Sequence, residues 1–230
     1  MSFNLIDAAK SLFTNEVLYK ASSYLDESET SVSKAINGIL PAVMNGLTNK
    51  TFTYDGAATV TNMVNEEHNL FVLSNLEGFF DSNNGSFLNK GAGLLKNLFG
   101  HKLDCVTNLI SNFAGIKPSS SSALFSMSLP AVLGLIDEHA TITGATCISA
   151  LLQGQKDNVT AAVPSGLNLN SVLGNIGERV SDIDLNAAWA DKHYFDKPDV
   201  KINGGLNILL PLLLLTAVII GSMVFIWKLL

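Results

Sequence analysis

Residues 95–136 read LKNLFGHKLDCVTNLISNFAGIKPSSSSALFSMSLPAVLGLI, and residues 8–47 read AAKSLFTNEVLYKASSYLDESETSVSKAINGILPAVMNGL. Each opens with a Lys-x-Leu-Phe run, formed by Lys10, Leu12 and Phe13 in one and by Lys96, Leu98 and Phe99 in the other. Each continues as an amphipathic helix, passes a Ser-rich cap and ends in a long apolar helix containing Leu-Pro-Ala-Val. One short length difference at the turns reconciles the two spacings. This is an internal repeat, and a repeated helical unit buries its apolar face against its copy. In the second copy Leu124, Met127, Ala131, Val132, Leu135 and Ile136 nearly encircle their helix. A helix that is apolar all round belongs in an interior. The expected fold is therefore all-α, with two pseudo-repeated helical subdomains and the two proline-containing helices at the centre. Pro41 and Pro130 should each kink or split their helix. A kink that lets two central helices pack is a simpler reading than a hinge or a substrate path.

Outward from this pair, a helix is predicted over about residues 4–13, with Leu5, Ile6, Ala9 and Leu12 or Phe13 on one face. Thr14 reads as the N-cap of a second helix, Asn15 to Leu25. Residues 26–30 form a polar connection before the helix that carries Val32 to Leu47. Asp55-Gly56 suggests a turn, Ala57 to Glu67 a short helix, and residues 81–86 a polar loop. The resulting division is a first repeat half at 1–50, a connector at 51–90 and a second half at 91–180. Within the second half, Thr143 to Leu152 and a segment ending at Val163 read as helices, and residues 162–167 as a closing turn. Residues 181–205 read as a polar linker.

The last stretch, Leu206 to Trp227, reads LNILLPLLLLTAVIIGSMVFIW and contains no charge. A bilayer core about 30 Å thick needs roughly 20 apolar residues in a helix, so residues 206–228 are expected to form one C-terminal transmembrane helix. Pro211 falls in its first turn, where a missing N–H costs little. Trp227 and Lys228 stand where an interfacial aromatic and a snorkelling cation belong. Gly221, beside Ser222, offers a small-residue face without a complete small-xxx-small pair. A chain ending as soon as it has crossed reads as tail-anchored. The N-terminus lacks a basic n-region and a long apolar h-region, and Lys192, Lys197 and Lys201 precede the span. Together these place the N-terminal domain in the cytoplasm and the C-terminus outside.

The net charge of −6 and the lone arginine, Arg179, argue against nucleic acid, whose phosphates are bound by clustered cations. Charged residues are only 15% of the chain, fewer than an ordinary soluble protein carries, which suggests surface buried against itself or a partner. Cys105 and Cys147 lack zinc-ligand spacing and read as packed thiols. His68, His101, His139 and His193 form no recognisable metal motif, and Asp137-Glu138-His139 points around a helix rather than at one site. Gly91-Ala92-Gly93 lacks a third glycine and a preceding strand, and no Walker-type cradle or nucleophile elbow occurs. Ser119 to Ser122 reads as a helix start, and Glu66-Glu67 as a solvated pair. No catalytic, cofactor-binding or metal residue is therefore assigned, and no enzyme is expected.

With the repeat and the closing turn in hand, the chain resembles the YidB-like bacterial family of unknown function numbered nine-three-seven. The residues that carry the likeness are Phe3 to Ala9, Gly38 to Val43, Lys90 to Phe99, Leu109 to Phe113, Leu129 to Gly134, Gln155-Lys156-Asp157 and Ala162 to Leu167, over about residues 1–170. The resemblance implies an all-helical fold, no assigned activity and no catalytic residues to carry over. Taken with the C-terminal membrane helix and its orientation, the expected location is the bacterial inner membrane. Larger relatives often continue into an OmpA-like, peptidoglycan-binding domain, so a chain stopping at Leu230 should meet peptidoglycan only indirectly. The expected function is a non-enzymatic, membrane-tethered helical scaffold or adaptor that self-assembles or docks a protein partner of an envelope complex. The alternative is a membrane-anchored module for a small apolar ligand or lipid, held near Phe99, Phe113, Phe125 and Met127.

Overall fold

Helix N-termini leave backbone N–H groups without intrahelical partners, and short polar side chains cap the starts of the first four helices here. A computed structural model describes residues 3–80, 85–144 and 147–176. Asn4 Oδ1 accepts from the N–H groups of Ile6 and Asp7 at the start of α1 (Leu5–Ser11). Thr14 Oγ1 accepts from Val17 at 3.3 Å and opens α2 (Asn15–Leu25). Ser28 Oγ accepts from Ser31 at 3.1 Å for α3 (Glu29–Lys50), and Thr53 Oγ1 from Gly56 at 3.1 Å for α4 (Tyr54–Val64). Gly56 therefore lies inside the first turn of a helix rather than in a turn between helices.

The chain continues through α5 (Glu67–Ser74), a 3-10 turn at Glu77–Phe80, α6 (Gly85–Phe99) and a second 3-10 turn at Gly100–Lys102. Next come α7 (Leu103–Ala114), α8 (Pro118–Thr143), α9 (Ile148–Gly154), α10 (Lys156–Ala162) and α11 (Asn170–Leu173). Every regular element among the described residues is a helix. The fold is all-α. These residues fall within a single contact unit, Met1–Val180. Residues 181–205 and 206–228, expected as linker and membrane helix, lie outside the described residues.

The centre of the unit is α8. Every residue from Leu124 to Gly134 is buried, so this helix presents no solvent face over three turns. Helices α3, α5, α6 and α7 pack around it. It has 26 residues, and its most apolar 18 have a mean hydropathy of 1.4, so it is long and apolar enough to cross a membrane, yet 78% of that window is buried inside the domain. Phe125 and Met127 are fully enclosed, and Phe99 meets Phe125 edge-on with ring centroids 5.9 Å apart. Phe113 lies under the Lys34 amine, 4.7 Å from its ring centroid.

Both central helices run unbroken through their prolines, Pro41 in α3 and Pro130 in α8. Neither is split in two, and both prolines are buried. A proline cannot donate to the carbonyl four residues before it, so the oxygens of Asn37 and Ser126 lose their helical partner. At Ser126 the neighbouring helix answers the loss. A Cβ built on Gly91 of α6 would overlap the Ser126 carbonyl oxygen. The glycine hydrogen standing in that direction therefore points at this oxygen, a weak Cα–H···O contact.

The stretch expected as a connector is helical and packs on the centre. Asn69, fully buried in α5, donates through Nδ2 to the carbonyls of Met63 at 2.6 Å and Val64 at 3.2 Å. These are the last two residues of α4, whose carbonyls have no partner within the helix. The Asn69 backbone oxygen faces Gly134 of α8, 2.6 Å from where a Cβ would stand. Two glycines of opposite location, Gly91 on α6 and Gly134 on α8, thus set how closely α8 is approached.

A reciprocal cap ties α2 to α8. The N–H of Lys117, just before α8, donates to Glu27 Oε1 at 2.9 Å, and Ser120 Oγ donates to the same oxygen at 2.8 Å. In return the Lys117 amine donates to the carbonyls of Leu25 and Asp26 at the end of α2. An anion at one helix start and a cation at another helix end both suit the backbone dipoles. Replacing Glu27 with Ala should cost about 1–2 kcal/mol, the usual loss for an N-terminal cap. Glu27→Gln, which keeps an accepting oxygen, should recover most of it in urea unfolding followed by circular dichroism. Equal losses for the two variants would show that charge, rather than the hydrogen bonds, sets the effect.

Several local expectations change. α8 extends to Thr143, so Asp137, Glu138 and His139 are inside it, and His139 stacks on Phe3 with centroids 3.8 Å apart. The next helix begins at Ile148 rather than Thr143. Cys105 and Cys147 are exposed rather than packed. The buried face of α7 is built from Val106, Thr107, Ile110, Ser111 and Ala114, which turns Cys105 outward. In the serine run, Ser121 is buried and donates to the Thr107 carbonyl at 3.0 Å, and Pro118 stands at the helix start.

Candidate binding cleft

The helices after α8 are short, and side-chain amides hold them in place. Gln155, 7% exposed, accepts from the Leu5 N–H at 3.0 Å and donates to the Phe3 carbonyl at 3.1 Å. One amide thus pairs with the backbone on both sides of the start of α1. Asn158 donates to the same Gln155 oxygen at 3.0 Å. α10 follows directly and buries Val159. The chain then turns at Pro164, whose carbonyl accepts from Leu167 at 3.1 Å. Gly166 takes φ +87° there, a conformation glycine adopts without a Cβ penalty. Leu167, Leu169 and Ile176 are buried beyond this turn, so residues 162–167 do not close the domain.

Opposite these segments, the C-terminal half of α3 turns a polar face inward. Asn45 is 3% exposed and Thr48 fully buried. Asn49 Nδ2 donates to Asn45 Oδ1 at 2.7 Å and to the Leu173 carbonyl, at the end of α11, at 3.3 Å. The Asn45 oxygen is therefore occupied, while its Nδ2 meets no acceptor among the described residues. The buried Thr48 hydroxyl has no partner among the described residues.

Between α3, α10 and α11 lies an open cleft of about 340 Å³. Asn45, Lys156 and Asn170 supply polar groups, and Val159, Val163 and Leu167 part of its apolar wall. Lys156 is its one charged residue and forms no ion pair among the described residues. The arrangement offers hydrogen-bond donors and a cation over an apolar wall, which suits an acceptor-rich or anionic group. No acid–base pair adjoins it, and no cluster of three or more metal-ligating side chains exists among the described residues.

The structure places Pro41 and Pro130 in the core, away from this lining. The anchor residues Leu206, Pro211, Gly221, Trp227 and Lys228 lie outside the described residues. The cleft itself was not read from the sequence. The available signal was Asn45, an amide following directly on the apolar run Ile39 to Met44. A buried amide needs partners, and its partners come from segments far along the chain.

A family model for a bacterial protein of unknown function, DUF937, matches residues 7–139. No curated protein and no solved structure matches the chain. The family match runs from α1 almost to the end of α8, so it takes in the α3 wall of the cleft and stops before α10 and α11. Because it spans more than half of the chain, the protein belongs to the bacterial family of unknown function DUF937.

Proposed function

We propose that this protein is a non-enzymatic helical scaffold or adaptor, tethered to the bacterial inner membrane by residues 206–228. Its helical domain lies on the cytoplasmic side and self-assembles or docks a protein partner of an envelope complex. The observation that carries this reading is where the buried and bridging polar side chains are engaged. Asn69 closes the end of α4, Gln155 the start of α1, and Glu27 with Lys117 the facing ends of α8 and α2. Such groups hold a shape. They do not converge on a reacting atom.

The reading includes duplication of one helical unit as α1–α3 and α6–α8. Asp26 and Gly115 both end a helix in the left-handed conformation, and Ser28 and Lys117 both precede a long one. Pro41 and Pro130 follow at the same spacing. Equal spacing over three special positions supports copies of one unit better than a shared tetrapeptide does.

The test is fractionation of cells expressing the full chain, then purification in mild detergent. The protein should stay in the membrane pellet after an alkaline wash and elute as a defined oligomer or with a stoichiometric partner. Release by the wash would remove the tether from the reading. A partner-free monomer would remove the scaffold.

A further inference from the structure

We draw no further inference here: the strongest candidate, the open cleft between α3, α10 and α11, carries nothing, because nothing in the structure shows what covers its apolar wall.

Discussion

Gly91→Ala should destabilise the protein by about 3 kcal/mol or more, at the upper end of what overpacking costs. The added methyl would overlap the backbone carbonyl of Ser126. Backbone cannot step aside as a flexible side chain can, so α6 must move off α8 along its whole contact. The same helix contains its own control. Gly93 is exposed, and a Cβ there meets nothing within 4 Å. Gly93→Ala should therefore stabilise by about 0.5–1 kcal/mol, the helix propensity difference between the two residues. The measurement is urea unfolding of both variants beside the parent. Shifts of the same sign would show that α6 does not approach α8 as closely as described. A general intolerance of change in α6 predicts two losses; the close approach predicts one loss and one gain.

Asn69→Asp should cost about 3–5 kcal/mol at neutral pH, the range for leaving a buried charge uncompensated. The parent amide donates to the carbonyls of Met63 and Val64, and a carboxylate would set a third oxygen against those two. Burial and the neighbouring dipoles both disfavour the charged form, so the folded-state pKa of the new Asp must rise above its unfolded value near 3.9. The folded state then binds the proton more tightly. Stability falls as pH rises between the two values, and the penalty shrinks as pH is lowered toward the unfolded one. A protonated Asp can again donate one hydrogen bond. Unfolding free energies of variant and parent, measured at a series of pH values, check this. A penalty that does not change between pH 7 and pH 4.5 would mean that Asn69 acts through its size and not through its donors.

How far these positions could be read in advance differs by kind. Thr14 as the cap of α2 was legible because capping depends on residues within one turn, and the Ser119 to Ser122 run marked the start of α8. The central place of α8 was legible because Leu124, Met127, Ala131, Val132, Leu135 and Ile136 cover its circumference at the helical period. Residues 51–90 read as connection because α5 has almost no amphipathic pattern, and it is held on the centre through Asn69 and the close contact with Gly134. In sequence Gly91 stands only in an incomplete glycine pattern, Gly91-Ala92-Gly93. Its actual role, room for a carbonyl freed by Pro130, follows from contact between residues 35 positions apart in the chain.

The candidate cleft was out of reach for the same reason. Asn45, Lys156 and Asn170 form no motif, since no local spacing relates them, and Gln155 gives no sign in sequence that its amide will hold Phe3 and Leu5. Sequence alone determined the helical class, the capped start of α2, where α8 begins, the interior helix and the family resemblance. Each follows from interactions within a few turns of chain, or from a pattern that survives without knowing what the helix touches. Tertiary structure alone decided that both proline helices run through, that α5 belongs to the core, and that Asn45 and Lys156 line one cleft. Those outcomes depend on which distant backbones meet, and close approach, burial and pairing come into being only when they do.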